Sequence, residues 1–139
     1  MICTGTGSAP FRAFTMRKQR TDPNPQQAMT LVFGARSPET LPYFGPLKKV
    51  PDSLLDKYFA FSRVDGQEKK YVQDQLRDME EQVAALLQDD HAHIYICGLR
   101  AMEQGVESAL TSIAESIGEQ WHDLRDAMRE QGRYHVETY

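Results

Sequence analysis

Five short runs rich in β-branched and aromatic residues occur along the chain, and each is predicted to form a strand. The runs cover residues 1–3, 29–35, 58–62, 93–99 and 133–139. They are largely apolar rather than strictly alternating, which is typical of strands that are covered on both faces of a sheet. The first run is shorter than the others, so we expect an abbreviated first strand.

Between the strands, apolar residues recur at intervals of four and three, the spacing that places them on one face of a helix. Over 71–87 this face consists of Val72, Leu76, Met79, Val83 and Leu86. In the next helical stretch it consists of Met102, Val106, Leu110, Ile113 and Ile117. Gly118 is predicted to end that helix. A third, shorter helix is predicted from Trp121 to about Glu130, ended by Gly132.

The order of strand, helix, strand and helix predicts the fold. Strands that are separated by helices pair in parallel through right-handed crossovers. We therefore expect an α/β fold: a doubly wound, five-stranded parallel sheet with helices on both faces, in one domain over 1–139. In such folds ligands bind at the carboxyl ends of the strands.

Composition narrows the possible partners. The chain has 139 residues, of which 40% are hydrophobic and 26% charged, and its net charge is −4. A negative net charge gives no general case for nucleic-acid binding. No apolar run approaches about 20 residues, so we expect no membrane span. The glycine-rich start does not resemble a signal peptide.

Cysteine and histidine give little sign of a metal site. Cys3 and Cys97 lie far apart and match no metal-binding spacing, so we interpret them as reduced thiols of a cytoplasmic protein. His91 and His93 form an H-x-H pair, but two ligands without a third make a poor site.

The stretch TGTGSAP, directly after the first strand, is a candidate anion-binding loop. Gly5 and Gly7 allow the backbone to turn sharply and to approach a ligand closely. Ser8 is a candidate N-cap, and Pro10 suits the first turn of a helix. The N–H groups at that helix terminus would bind a pyrophosphate. Because the spacing is GxGxxP rather than GxGxxG, an ordinary tight turn explains the glycine pair equally well.

The end of the third strand carries a second candidate site. A domain that binds NAD tends to place Asp or Glu here, against the ribose hydroxyls. This chain has Ser62 and Arg63 instead, a hydroxyl and a guanidinium that suit a 2′-phosphate. Lys69 adds a cation and Tyr71 an aromatic face for adenine. The alternative is a solvated loop without function.

The last two strands end in residues that could face the same ligand. Cys97 and Gly98 close the fourth strand, where a small side chain allows a ligand ring to approach. Glu137 and Tyr139 lie two residues apart and point to one face of the fifth strand. The alternatives are a buried cysteine that acts as a small hydrophobic residue, and a terminal aromatic that packs on the sheet or frays.

These motifs together carry a resemblance. TGTGSAPFRAF resembles the pyrophosphate loop of the ferredoxin–NADP reductase family. Ser62 and Arg63, followed by Lys69, Tyr71 and Gln73, are similar to that family's adenosine 2′-phosphate site. YICGLRAMEQGVE resembles its YxCGLxxMExG segment, and the terminal VETY resembles its plant-type ending Val-Glu-x-Tyr. The four motifs occur in the family's order and cover nearly the whole chain.

The resemblance implies how NADP(H) binds. Its pyrophosphate would lie on the loop over 4–10, and Ser62, Arg63 and Lys69 would hold the 2′-phosphate. Tyr71 would stack on adenine, with Gln73 supporting the same pocket. The complete set of candidate cofactor-binding residues is Thr4, Gly5, Thr6, Gly7, Pro10, Arg36, Ser62, Arg63, Lys69, Tyr71, Gln73, Gly98 and Leu99.

The resemblance also implies which residues take part in hydride transfer from NADPH to flavin. Cys97 would help to place the nicotinamide. Glu137 would lie near the transfer site, where it shapes the polarity or relays a proton. Tyr139 would stack on the flavin ring and yield to the nicotinamide. Without the flavin, we expect the tail that carries Tyr139 to be mobile.

Members of the family carry an FAD-binding domain before this one, and its RxYS-type motif is absent here. We therefore expect an excised NADP(H)-binding domain that is inactive without its FAD domain. Within the family, the chain is similar to the reductase components of bacterial benzoyl-CoA oxygenases. That similarity implies iron–sulfur clusters upstream, an iron–sulfur or oxygenase acceptor, and a role in aerobic aromatic degradation.

Some features depart from the family pattern and leave alternatives open. Ser8 stands where Ile or Val is common, and Arg100 and Ala101 replace Lys-Gly, so contacts near the ribose would differ. A module that prefers NADH is one alternative, although two cations are not needed for bare ribose hydroxyls. A non-catalytic interaction domain with the same fold is another.

Overall fold

The computed structural model describes residues 1–42 and 44–139. Within them, five parallel strands form one sheet in the order β3-β2-β1-β4-β5. The strands are β1 (Ile2–Thr4), β2 (Met29–Ala35), β3 (Leu55–Phe61), β4 (Ile94–Gly98) and β5 (Tyr134–Thr138). The chain winds outward from β1 to β3, then crosses back to β4, so the strand order reverses between β1 and β4.

Helices connect the strands. They are α1 (Ala9–Thr21), α2 (Phe44–Lys48), α3 (Val72–Asp78), α4 (Glu80–Leu87), α5 (Arg100–Ser116) and α6 (Trp121–Glu130). Short 3-10 turns occupy Gly5–Ser8 and Pro38–Thr40. No helix in the described ranges has both the length and the apolar character needed to cross a membrane.

The core has two layers, one on each face of the sheet. On one face, Ile96 and Val32 pack against α3 to α6 through residues such as Val106 and Trp121. On the other face, Phe33 and Leu31 pack beneath α1 and α2. Helices therefore cover both faces of a parallel sheet, which confirms the predicted doubly wound α/β fold.

The predicted helix over 71–87 is in fact two helices that meet at Met79. Met79 leaves the helical conformation with φ −104° and ψ 26°. Its side chain is still buried, as are those of Leu76 and Val83. The prediction for Leu86 is wrong, because this side chain is 37% exposed and Leu87 is buried instead. Leu87 follows Val83 by four residues and so continues the buried face.

Candidate functional site

A cleft of about 640 Å³ opens at the carboxyl edge of the sheet, next to the point where the strand order reverses. Parallel α/β sheets bind ligands at this position. Seven of the predicted cofactor-binding residues line it: Thr4, Gly5, Arg36, Ser62, Tyr71, Gln73 and Leu99. The remaining predicted residues lie outside its lining: Thr6, Gly7, Pro10, Arg63, Lys69 and Gly98.

The loop between β1 and α1 forms one wall of the cleft. Gly5 has a φ of 54°, a left-handed conformation that favours glycine, and its Cα faces open space. Gly7 is packed against strand β4, since a Cβ there would lie 2.3 Å from the Cys97 carbonyl oxygen. Gly7 thus has a packing role that the sequence did not predict, and its close approach to a ligand stays a prediction. Pro10 lies in the first turn of α1, as expected.

Ser8 occupies the N-cap position of α1, as predicted, but it does not cap the helix with its side chain. Its side chain makes no capping hydrogen bond, and its hydroxyl donates instead to the Pro42 carbonyl at 3.0 Å. Ser8 is completely buried, so this bond satisfies a hydroxyl that water cannot reach. The bond joins the β1–α1 loop to the segment that follows Thr40, another residue of the cleft wall.

Two threonines connect this loop to its surroundings. The Leu99 N–H points at the Thr4 hydroxyl oxygen at 3.4 Å. Gly98, with a φ of 153°, leaves the space that this hydroxyl occupies, because a Cβ there would lie 2.4 Å from it. The hydroxyls of Thr6 and Tyr139 are 3.0 Å apart, within hydrogen-bonding distance.

One end of the cleft carries two cationic side chains. Arg36, after β2, and Lys70, before α3, both line it beside Ser62 and Tyr71. No carboxylate is part of the cleft lining within 1–42 and 44–139. This end therefore suits an anion more than a sugar hydroxyl that donates hydrogen bonds.

The position of the lysines differs from the expectation. Lys69 is exposed and outside the cleft lining, whereas its neighbour Lys70 is half-buried and lines it. The Lys70 N–H donates to the Phe61 carbonyl at 3.0 Å, which holds this segment against the end of β3. The Lys70 ammonium also pairs with Asp78 at 2.6 Å. Arg63 is exposed and, like Lys69, does not line the cleft.

The three predicted catalytic residues lie together on another surface, outside the cleft lining. Cys97 and Glu137 are direct partners in the register of β4 and β5, and Tyr139 follows on the same face. Burial, and then the charge of Glu137, raise the pKa of the Cys97 thiol. The thiol is therefore protonated at neutral pH, which suits contact with a ring better than nucleophilic attack.

The tail that carries Tyr139 is held by backbone hydrogen bonds, in contrast to the loose tail that we expected. The Tyr139 N–H donates to the Gly98 carbonyl at 3.0 Å, and its carbonyl accepts from the Arg100 N–H at 3.1 Å. The residue as a whole is 61% exposed. The tail thus presents an aromatic face to solvent while its backbone continues the sheet.

Cys3 lies beside Cys97 in the register of β1 and β4. Both cysteines are free thiols, and Cys3 is completely buried. Burial raises the pKa of the Cys3 thiol strongly. Cys3 therefore behaves as a small core residue beneath the site.

Of the polar side chains that line the cleft, sequence reasoning missed two, Lys70 and Thr40. It also missed the small and apolar lining residues Gly34, Ala35, Ala60, Val72, Ala101 and Met102. Lys70 is the second member of a Lys-Lys pair, and no local pattern tells which of the two faces inward. Thr40 lies in a turn at Pro38–Thr40, far from any motif.

Comparisons with known proteins show the family of the chain. The family described as "Oxidoreductase NAD-binding domain" matches residues 1–108. The chain is 34% identical over 148 residues to the ferredoxin–NADP reductase of Synechocystis sp.. It is 35% identical over 151 residues to that of Thermosynechococcus vestitus, and 31% identical over 148 residues to the leaf-type chloroplastic isozyme of Nicotiana tabacum.

Each alignment covers 100% of this chain but only part of the relative. The covered share is 36% of the Synechocystis protein, 39% of the Thermosynechococcus protein and 41% of the tobacco protein. The chain thus spans less than half the length of these three curated relatives. The family match covers more than three quarters of the chain, and the observed α/β fold is consistent with it. The chain therefore belongs to the oxidoreductase NAD-binding domain family.

Proposed function

We propose that this chain is the NADP(H)-binding module of a reductase whose FAD is held by another part of the protein. The observation that carries the proposal is the end of the cleft where two cations, Arg36 and Lys70, line the wall together with Ser62 and Tyr71. No carboxylate is among the described lining residues, although Asp78, outside the lining, pairs with Lys70. A 2′-phosphate needs donors and positive charge, whereas the ribose hydroxyls of NAD would need an acceptor.

The remainder of the nucleotide follows the carboxyl edge of the sheet. The adenine ring stacks on Tyr71, which is 48% exposed and available to a ligand. The pyrophosphate lies against the turn at Gly5–Ser8, where backbone N–H groups and the N-terminus of α1 favour negative charge. This path leads from the adenosine end toward Cys97.

The surface formed by Cys97, Glu137 and Tyr139 is where nicotinamide meets flavin in this proposal. Flavin, when bound, accepts hydride from reduced nicotinamide and passes electrons on singly. The residues fit such a ring, because an exposed tyrosine, a protonated thiol and a carboxylate share one face. Cys97 would contact and orient the nicotinamide, and Glu137 would hold negative charge beside it. Tyr139 would cover the flavin ring and yield to the nicotinamide.

The acceptor and the pathway are a finer part of the proposal. The relatives are named as ferredoxin–NADP reductases, which supports an electron carrier of the ferredoxin type. We propose an iron–sulfur or oxygenase partner in aerobic benzoyl-CoA degradation on the sequence resemblance alone. Without its FAD domain the module would bind nucleotide but transfer no hydride.

Calorimetric titration of the chain with 2′,5′-ADP and with 5′-ADP tests the proposal. We expect the 2′-phosphorylated ligand to bind at least about tenfold more tightly, equivalent to about 1.4 kcal/mol. Equal binding of the two ligands would indicate a module that prefers NADH. Binding of neither would leave a fold without this function.

Substitution of the cations identifies which of them bind the 2′-phosphate. Arg36→Ala and Lys70→Ala are expected to weaken 2′,5′-ADP binding by roughly 1.5–3 kcal/mol, the value of a hydrogen bond to a charged group, and to leave 5′-ADP binding nearly unchanged. Lys69→Ala and Arg63→Ala are the matched controls of the same charge. If the controls lost more affinity than the first pair, the 2′-phosphate would belong to the residues that the resemblance names.

A further inference from the structure

Gly105 lies inside α5, where glycine is unfavourable. A neighbouring side chain fills the space that a side chain at this position would take. A Cβ at Gly105 would lie 2.6 Å from Cδ, 2.7 Å from Nε2 and 2.9 Å from Oε1 of Gln73. The whole amide of Gln73 therefore packs into the space that a side chain at position 105 would fill. Glycine weakens a helix interior relative to alanine, so this space comes at the expense of helix stability.

Gln73 is also part of the cleft. It follows Tyr71 by two residues in the first turn of α3, and both side chains line the wall. The amide thus packs against α5, while the side chain lines the cleft beside the tyrosine on which adenine is proposed to stack. An amide offers a donor and an acceptor side by side, the pair that matches the edge of adenine.

Other residues also hold α3 against α5. One turn further along, the Arg77 guanidinium donates to the Ser108 hydroxyl at 3.3 Å. Leu76 and Val106 are buried beneath it. Because these contacts hold the two helices together, a methyl group at position 105 would displace the free end of Gln73 rather than separate the helices.

We propose that Gly105 is a positioning residue for adenine recognition: the space at its Cα holds the Gln73 amide against the wall of the cleft. This inference rests on the proposed nucleotide-binding function. It adds that the chain distinguishes adenine from other purines, and that Gly105 controls this selectivity without touching the ligand.

Gly105→Ala tests the inference, with 5′-ADP and 5′-IDP as probes. The two ligands differ at the purine edge, where hypoxanthine carries a carbonyl in place of the adenine amino group. We expect the wild-type chain to prefer 5′-ADP. The variant should bind 5′-ADP about three- to tenfold more weakly, the value of one neutral hydrogen bond, and should lose most of that preference. Its urea midpoint should be equal or higher, because alanine favours the helix.

Two further variants separate a positioning role from a general structural one. In a Gln73→Met background, which lacks the amide, Gly105→Ala should cause no additional loss of 5′-ADP affinity. Gly45→Ala is the matched control, since Gly45 also lies in a helix and a Cβ there meets nothing within 4 Å. It should leave both affinities unchanged.

The outcomes distinguish this inference from the proposed function. If the wild-type chain binds neither 5′-ADP nor 2′,5′-ADP, the proposed function fails. If it binds both and Gly105→Ala binds 5′-ADP and 5′-IDP as the wild type does, only the inference fails. An equal loss for both ligands, a loss that persists without the Gln73 amide, or a lower urea midpoint would likewise overturn it.

Discussion

Gly7→Ala is expected to be the most damaging single methyl group that can be added to the β1–α1 loop. The Cβ would lie 2.3 Å from the Cys97 carbonyl oxygen, 2.7 Å from its carbonyl carbon and 3.0 Å from the Gly98 Cα. All three atoms belong to the backbone of β4, which is paired with β1 and β5 on its two sides. No rotamer change can relieve the clash, so the loop itself must move.

The size of the effect follows from the distances. A carbon–oxygen contact is comfortable at about 3.3 Å or more. The methyl group therefore requires a shift of roughly 1 Å between the loop and β4. Overpacking of this kind typically costs about 1–3 kcal/mol. The same shift would move the N–H groups at Gly5–Ser8 away from a pyrophosphate and separate Thr6 from Tyr139.

Urea unfolding and calorimetry measure the two consequences separately. Gly7→Ala should lower the free energy of unfolding by about 1–3 kcal/mol and weaken the binding of 5′-ADP. Gly5→Ala is the matched control, because a Cβ at Gly5 meets nothing within 4 Å and its cost is only the left-handed φ of 54°, about 1–2 kcal/mol. A Gly7→Ala variant with wild-type stability would show that the loop is not seated on β4, and would refute the reasoning.

Two further predictions follow from the pKa shifts. Glu137→Gln removes one cause of the raised pKa of Cys97, so alkylation of Cys97 by iodoacetamide at pH 8 should become faster. The buried Cys3, which mass spectrometry distinguishes from Cys97, should stay unreactive. An unchanged alkylation rate at Cys97 would show that Glu137 does not raise its pKa. Burial, and then the hydrogen bond to Glu107 at 2.8 Å, raise the pKa of Tyr134. Above about pH 10 the unfolded chain loses the tyrosine proton while the folded chain keeps it. The free energy of unfolding should therefore fall above that pH, by up to about 1.4 kcal/mol per pH unit. Tyr134→Phe should lower the free energy of unfolding by roughly 1.5–3 kcal/mol at neutral pH, and that free energy should fall less steeply above pH 10 than in the wild type. Equal slopes against pH for the two proteins would contradict this prediction.

The local elements could be predicted from the sequence where one signal was sufficient. The strand over Met29–Ala35 and the helix over Trp121–Glu130 have the predicted bounds, because an apolar run and a periodic face with a glycine stop mark them. The parallel pairing of the strands and the helices on both faces followed from the alternation of elements, whereas the strand order was not predicted. The break at Met79 could not be predicted, because the apolar spacing continues through it and only the backbone dihedral angles of Met79 reveal it.

Only part of the candidate site could likewise be predicted from the sequence. Its position at the carboxyl edge, and residues such as Ser62 and Tyr71, could be predicted from their place after β3. The inward-facing lysine could not, since Lys70 is selected over Lys69 by a backbone bond to Phe61. The role of Ser8 depends on the Pro42 carbonyl 34 residues away, and no local pattern contains such a contact.

The loop between β1 and α1 is the physical link between the two halves of the proposed site. The adenosine half is the cleft, which Gly5 lines. The nicotinamide half lies beyond β4, where the loop meets the Cys97 carbonyl through Gly7 and the Tyr139 hydroxyl through Thr6. Because one four-residue turn contacts both halves, a nucleotide that binds at its N–H groups would be positioned at both ends together. A substitution that disturbs the packing of Gly7 on β4 should therefore weaken adenosine binding, although Gly7 lies outside the cleft. A substitution of Tyr139 alone should leave adenosine binding unchanged.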